Sequence, residues 1–227
     1  MTPRRRFSDA WAGHELVRCA VVCTVLIGLI LLGCCAKDAP AVEVERIVIP
    51  QASYLYRLKL DREVVSRFGT SDAVARIAAQ VHVESRWNPK AQSKYAEGMA
   101  QFTPATSKWL ESVCPEIGPP DPWSADWSVR AVVCYDAWLH VRVAGASSCD
   151  RWAFALAAYN GGLGWIARDQ NRASAQGADA ARWFGHVELH TPRADWARRE
   201  NRAYVHRILM LAEPAYIAAG WPGVPAC

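Results

Sequence analysis

An apolar helix stripe that ends in a carboxylate is the feature that most constrains this chain. Val74, Ile77, Ala78 and Val81 recur at spacings of three and four residues, which predicts one buried face of a helix. Glu84 lies three residues beyond Val81, so it continues the stripe and is expected to point inward. Apolar surroundings disfavour the ionised form of a carboxyl group and raise its pKa. Glu84 is therefore a candidate general acid, although a glutamate at this point can also simply close a surface turn.

Polar residues and a proline predict the limits of this helix. Thr70, Ser71 and Asp72 are all acceptable N-cap residues. Pro89 is expected to end the helix, because the residue before a proline is pushed away from helical angles.

Three short motifs follow one another along the chain. The first combines Glu84-Ser85 with Ala-Gln-Ser at 91–93, Ala96, Gly-Met-Ala-Gln at 98–101 and Pro104. The second is Ala-Tyr-Asn-Gly-Gly at 158–162, and the third is Glu-Asn-Arg-Ala-Tyr-Val at 200–205. In this order they resemble the signature of the soluble lytic transglycosylase family, relatives of goose-type lysozyme, over roughly residues 54–220. The family's common Gly-Leu-Met-Gln stands here as Gly-Met-Ala-Gln.

This resemblance implies a mainly α, lysozyme-like domain that cleaves peptidoglycan glycan strands without a cofactor or metal. It implies that Glu84 is the catalytic acid. The residues that it implies in substrate binding are Ser85, Gln101, Tyr159, Asn160 and Tyr204. For Tyr204 the alternative is simple packing, because it shares a helix face with Ile208 and Leu211.

The mechanism depends on whether a second carboxylate assists Glu84. Most glycosidases use two carboxylates, and no motif supports a second one in this sequence. The acids that are candidates only by availability are Glu97, Asp121, Asp126 and Asp136. A lone acid suffices if the 6-hydroxyl of the muramic acid closes on its own anomeric carbon. Glu84 would protonate the leaving N-acetylglucosamine oxygen and then take the 6-hydroxyl proton, which gives a 1,6-anhydro product; the family resemblance implies the same route.

Two other functions stay open at this point. A hydrolytic muramidase would use the same glutamate with a positioned water, and a non-catalytic protein would only bind the wall. The biological setting is either cell-wall remodelling or lysis of the phage endolysin type.

The N-terminal part predicts export. Residues 1–36 form a basic start and an apolar segment, 37–52 a linker, and 53–227 the catalytic domain. The 18 residues at 19–36 are almost wholly apolar, and as a helix they would span about 27 Å, close to the roughly 30 Å hydrocarbon core. Arginines before this segment place the N-terminus in the cytoplasm and the domain in the periplasm.

Three interpretations of the apolar segment compete. It is an uncleaved anchor in the inner membrane, a lipoprotein signal, or an export segment that later leaves the membrane. The lipoprotein interpretation rests on Leu-Leu-Gly-Cys at 31–34, in which Cys34 would be lipidated and the protein would reach the outer membrane.

Four cysteines belong to the exported domain: Cys114, Cys134, Cys149 and Cys227. An even number in an oxidising compartment permits two disulfides with three possible connectivities. Free buried thiols are the alternative.

The composition bears on two further classes of partner, nucleic acids and sugars. A net charge of +4 with no basic stripe gives no nucleic-acid footprint. Tryptophan is frequent, with 11 residues, and most of these are expected in the core. Trp87, close after Ser85, is the exception that we expect at the sugar.

Three further segments carry structural predictions. Residues 88–102 read as an irregular loop or a short strand pair. Residues 167–186 are small and polar without a clear period, which predicts a surface loop. Residues 197–213 predict one long final helix.

Overall fold

The structure is a computed structural model that describes residues 46–227. Within these residues the chain forms eight α-helices: α1 (Arg57–Phe68), α2 (Val74–Ser85), α3 (Pro104–Val113), α4 (Ala125–His140), α5 (Ser148–Gly161), α6 (Leu163–Ala175), α7 (Asp195–His206) and α8 (Glu213–Ala218). Short 3-10 turns lie at Gln51–Leu55, Pro115–Ile117 and Val187–Leu189. The predicted mainly helical fold is confirmed.

The predicted membrane segment at 19–36 and Cys34 lie outside the described residues. From residue 46 onward, no helix has both the length and the apolar character needed to cross a membrane.

Helices α2 and α5 form the centre of the domain. Residues 74–82 of α2 are all buried, and so are residues 152–158 of α5. Helix α5 packs against α4, α6 and α7, and the four alanines in its buried stretch let these neighbours approach closely. Helix α2 packs against α8 and the segment that precedes α8. The sequence predicted one buried face for α2, but the helix is enclosed on every side along most of its length.

The start of α2 differs from the prediction. Ala73 occupies the N-cap position, and no side-chain hydrogen bond caps the first turn of the helix. The backbone N–H of Val224 donates to the carbonyl of Asp72 (3.1 Å), and the N–H of Ala75 donates to the carbonyl of Pro222 (2.8 Å). The C-terminal tail therefore binds the backbone at the beginning of α2, where the sequence predicted a local cap.

The predicted single helix at 197–213 is wrong in its continuity. A π-helical segment at Arg207–Ala212 separates α7 from α8. Pro214 is the second residue of α8, and it has no backbone N–H to donate to the preceding turn. A widened turn in front of a proline accommodates this missing hydrogen bond.

The predicted loop at 167–186 is also wrong in its first half, because α6 extends to Ala175. Ile166, Asp169 and Ala173 are buried at spacings of three and four. Asp169, the middle residue of the three, is an acid, so a search for apolar residues did not reveal the helical period. Asp169 is buried because Arg202 donates to its Oδ2 (3.0 Å) and Thr191 donates to its Oδ1 (2.6 Å).

Two disulfides join consecutive cysteines. Cys114–Cys134 links the end of α3 to α4, and Cys149–Cys227 links the first turn of α5 to the C-terminal tail. Of the three connectivities that the sequence allowed, the structure has this one.

A buried ion pair lies under the same tail. Arg76 Nη2 lies 2.7 Å from Glu213 Oε1, and both side chains are almost inaccessible to solvent. The same nitrogen donates to the carbonyl of Val224 (2.9 Å), and the guanidinium lies 4.5 Å from the ring centre of Trp152. Arg76 therefore connects α2 with α8, the tail and α5.

Candidate active site

Glu84 lies in the last turn of α2 and is half-buried. Its Oε1 accepts a hydrogen bond from the hydroxyl of Tyr204 on α7 (2.6 Å). Burial raises the pKa of Glu84 to about 8; the Tyr204 hydrogen bond lowers it, and the negative charge of Glu200 adds to the rise. The carboxyl group is therefore protonated at neutral pH and still partly accessible, which are the two properties that a proton donor needs.

The chain around Glu84 has unusual backbone angles. Arg86, Trp87 and Gln101 have positive φ values of 53°, 65° and 50°. They are the non-glycine residues with positive φ in the described part of the chain. Such conformations are costly and tend to cluster at functional sites. Arg86 is also the left-handed C-cap that ends α2, so the helix ends before it reaches Pro89.

Trp87 does not face the sugar site, and that prediction is wrong. The residue is 1% exposed, and its indole N–H donates to the hydroxyl of Tyr216 (2.7 Å). Its ring stacks on Tyr56 with centroids 5.8 Å apart. The left-handed turn at 86–87 directs the indole back into the core.

The loop at residues 91–102 is held by the glycine and glutamine of the first motif. It contains the isolated bridges Gln92–Glu97 and Glu97–Phe102, in agreement with an irregular loop or short strand pair. Gly98 has φ of 75°, and a Cβ there would lie 1.7 Å from the carbonyl oxygen of Pro122. Any side chain at this position would therefore push the loop away. Gln101 Nε2 donates to the carbonyls of Gly98 (2.8 Å) and Ala91 (3.2 Å), so its side chain ties the two ends of the loop together.

The second motif lies at the end of α5 and contacts this loop. The hydroxyl of Tyr159 donates to the carbonyl of Ala100 (2.8 Å), and its ring lies 5.5 Å from that of Phe102. The charge of Glu84 contributes to the raised pKa of Tyr159, although burial is the larger cause. Tyr159 therefore connects the loop with the surroundings of the acid.

The third motif positions two of the predicted residues. Tyr204 donates to Glu84, so it does more than pack. Asn201 is buried and donates to the carbonyl of Ala157 (2.9 Å) and to the Oδ1 of exposed Asn160 (2.8 Å). Sequence reasoning missed Asn201. Its signal was an asparagine inside a helical pattern, one turn before Val205.

Ser85 makes the weakest contact of the predicted site residues. Its hydroxyl donates to the carbonyl of Val81 at 3.4 Å, and its side chain is half-buried.

The four acids that were candidates by availability do not surround Glu84 as a group. Asp136 is fully buried and accepts a hydrogen bond from Gln80 (3.2 Å), so it cannot touch a glycan. Asp126 is exposed and forms an ion pair with Lys59. The surface carboxylate whose charge contributes to the pKa of Glu84 is Glu200, which sequence reasoning did not consider as a second acid.

One cluster among residues 46–227 has the composition of a metal site. Cys114, Glu116 and Cys134 have possible ligand atoms within 4.8 Å of one another. Both cysteines are joined in a disulfide, however, and metal binding by cysteine requires free thiolates. Glu116 also forms an ion pair with Arg67.

Comparison with known families agrees with this geometry. Residues 70–181 match the family model of the transglycosylase SLT domain. Residues 70–181 therefore form a domain of this lytic transglycosylase-like family, and the helical fold is lysozyme-like. The matched segment contains Glu84, Gln101, Tyr159 and Asn160, and it ends before Tyr204. No curated protein matches the chain significantly.

Membership of the family implies degradation of peptidoglycan by transglycosylase chemistry, and binding of its glycan strands.

Proposed function

We propose that this protein is a lytic transglycosylase that cleaves the β-1,4 bond between N-acetylmuramic acid and N-acetylglucosamine and leaves a 1,6-anhydro end. The observation that carries the proposal is the environment of Glu84: a half-buried carboxyl group, whose pKa burial raises to about 8 and whose Oε1 accepts a hydrogen bond from Tyr204. Asp136 is shielded from any glycan, which supports a route that needs one acid.

In this mechanism Glu84 acts twice. It first donates its proton to the glycosidic oxygen, and the N-acetylglucosamine end leaves. The resulting carboxylate accepts the proton of the muramic acid 6-hydroxyl as that oxygen bonds to the anomeric carbon. Tyr204 donates a hydrogen bond to this carboxylate and stabilises it, because a donor favours the charged form. No water is consumed.

The other predicted residues would shape the binding site. Ser85 lies directly after the acid, and Gln101 uses its amide nitrogen inside the loop, which leaves its carboxamide oxygen for a sugar. Tyr159 and Asn160 would line the opposite wall. Their positions are fixed by Ala100 and Asn201, respectively.

The product distinguishes transglycosylation from hydrolysis. Purified sacculi digested by the wild-type protein are expected to release muropeptides with anhydro ends, because the 6-hydroxyl is the nucleophile. Mass spectrometry of these muropeptides measures this directly. Reducing ends, heavier by one water, would contradict the proposed route.

Hydrolysis is the second candidate, and Glu200 is the observation in its favour. Its exposed carboxylate contributes to the pKa of Glu84, and a carboxylate in such a place could activate a water. Loss of reducing ends on Glu200→Gln, with anhydro ends unchanged, would assign a hydrolytic side reaction to this residue.

The pH dependence of cleavage follows from the raised pKa of Glu84. Activity is expected to fall as pH rises through about 8, because the acid must be protonated in the free enzyme. In Tyr204→Phe the alkaline limb of kcat/KM should move to higher pH, since the lost hydrogen bond had favoured the charged form. The rate at neutral pH should drop in the same variant.

A matched control is Tyr95→Phe, which removes a hydroxyl from a strongly exposed tyrosine. Its pH profile should coincide with that of the wild type. A downward shift of the limb in Tyr204→Phe would contradict the role given to this hydrogen bond.

We also propose that the protein is exported and held at the membrane through residues 19–36, with its domain in the periplasm. The two disulfides support an oxidising compartment, where such bonds persist. Mass analysis of the mature N-terminus separates the anchor, the lipidated Cys34 and the released form.

A further inference from the structure

A further buried carboxyl group, that of Asp136, is hydrogen-bonded to a residue on the helix that carries the acid. Asp136 on α4 and Gln80 on α2 are both completely inaccessible to solvent. Gln80 Nε2 donates to Asp136 Oδ1 (3.2 Å). Gln80 lies one helical turn before Glu84 on α2, so this hydrogen bond joins α4 to the turn of α2 that precedes the acid.

The hydrogen bonds of this pair are incomplete if Asp136 is ionised. Gln80 Oε1 and Asp136 Oδ2 are both buried and have no hydrogen-bond partner. Both atoms are acceptors, so each would lack a donor. A buried polar group left unpaired costs free energy, and here two such groups belong to side chains that already share one hydrogen bond.

A proton on Asp136 would give this pair the donor that both atoms lack. A protonated Oδ2 becomes a donor, and Gln80 Oε1 is the unpaired acceptor on the partner side chain. The pair would then hold two hydrogen bonds: Nε2–H to Oδ1, and Oδ2–H to Oε1. No charge would remain in the interior.

We propose that Asp136 is a protonated acid in the folded protein, closed into a neutral two-bond pair with Gln80, and that this pair is a positioning element beneath Glu84. The part that concerns Glu84 rests on the proposed function; the protonation itself does not. Asp136 is not a catalytic residue, because it is shielded from any substrate.

The surroundings of Asp136 favour the neutral form. Burial raises its pKa well above the usual range, and the charge of Glu84 acts in the same direction. The Gln80 hydrogen bond and the charge of Arg76 oppose the rise. The other titratable groups whose pKa values respond to the charge of Asp136 are Tyr135, Tyr159 and Tyr204 on α4, α5 and α7. Burial also raises the pKa of each of these tyrosines, so they remain neutral.

The pair has a consequence for the site. An ionised Asp136 would place a second negative charge close to Glu84. A neutral Asp136 leaves the titration of Glu84 to its own burial, to Tyr204 and to Glu200. The active site would then have one titrating carboxyl group in its interior, as a single-acid mechanism requires.

Asp136→Asn is the decisive variant, because asparagine is a permanently neutral replacement of similar shape. It keeps the acceptor for Gln80 Nε2 and offers an N–H in place of the O–H. The measurement is the urea unfolding equilibrium of wild type and variant, with disulfides intact, at several pH values between 5 and 7.

The expected result follows from proton linkage. The unfolded aspartate ionises near its usual pKa, whereas the folded one keeps its proton, so the stability from this group is present at low pH and is lost as pH rises. The unfolding constant of the wild type divided by that of Asp136→Asn should rise about tenfold per pH unit, or about 100-fold from pH 5 to pH 7. The contribution of Glu84 is common to both proteins and cancels. A ratio that stays constant with pH would overturn the proposal.

The pH dependence of cleavage supplies a second readout, which reports whether Asp136 carries a charge. The alkaline limb of kcat/KM in Asp136→Asn should coincide with that of the wild type, because no charge is removed. A limb shifted to lower pH would mean that Asp136 is an anion and would also overturn the proposal. Asp136→Ala should lose both stability and rate, and the recovery of both in Asp136→Asn would support positioning by the neutral pair.

This experiment separates the two proposals. The unfolding ratio needs no substrate, so it tests the protonation of Asp136 even if the protein cleaves no glycan. Reducing ends in the product assay would overturn the transglycosylase route and leave the acid–amide pair intact.

Discussion

Glu84→Gln is expected to abolish the clearing of purified sacculi while leaving helical content and melting behaviour nearly intact. Glutamine keeps the shape of the side chain but carries no transferable proton. General acid–base catalysis contributes roughly 10²–10⁴-fold, and here the same group would serve both steps, so we expect a loss at or above the upper end of that range. The measurement is the decrease in turbidity of a sacculus suspension, with circular dichroism as the check on folding.

The direction in which Glu84→Gln changes the stability of the protein can also be predicted. Burial raises the pKa of Glu84, so the unfolded chain binds fewer protons than the folded chain between its ordinary pKa and about 8. Stability from this group is present below the ordinary pKa and is lost as pH rises. Glu84→Gln should therefore be at least as stable as the wild type at pH 7.

A matched control is Glu111→Gln, which makes the same change at an exposed position on α3. It should clear sacculi like the wild type. Equal clearing by wild type and Glu84→Gln would favour a non-catalytic wall-binding protein or place the acid elsewhere.

Glu213→Ala is expected to destabilise the domain by about 3–5 kcal/mol, because it leaves the buried guanidinium of Arg76 without its charged partner. Desolvation already lowers the pKa of Arg76, and Glu213 is the largest influence that opposes this change. The free energy of unfolding from urea titration gives the loss directly.

The control for this prediction is Arg198→Ala, which breaks the exposed pair between Arg198 and Asp195. Its effect should stay within about 1 kcal/mol. The double variant Arg76→Met with Glu213→Leu should recover much of the loss, since an apolar replacement removes both buried charges. A loss under 1 kcal/mol for Glu213→Ala would mean that the pair is solvated in solution.

Local patterns predicted the part of the site that depends on one stretch of chain. The stripe from Val74 to Val81 led to Glu84, and the turn residues within 88–102 led to the loop. These features follow from the spacing of apolar residues and from the conformations that turn residues prefer. The resemblance then supplied Tyr159 and Asn160, which no local pattern assigns.

Contacts between distant segments could not be predicted in this way. Trp87 is turned inward by two left-handed residues, and sequence reasoning had no access to those angles. The cap of α2 was wrong because the backbone at residue 224 binds there. Asp136 and Gln80 lie 56 positions apart, so their pairing becomes visible only when α2 and α4 are packed.

The connectivity of the disulfides has a consequence for biogenesis. Among the four cysteines of residues 46–227, each one is bonded to its next neighbour along the chain: Cys114 to Cys134, and Cys149 to Cys227. In a polypeptide threaded N-terminus first through a translocase, thiols reach the oxidant one after another. An oxidase that joins them in order of arrival would yield the native pattern at once, so we expect maturation to need no isomerase.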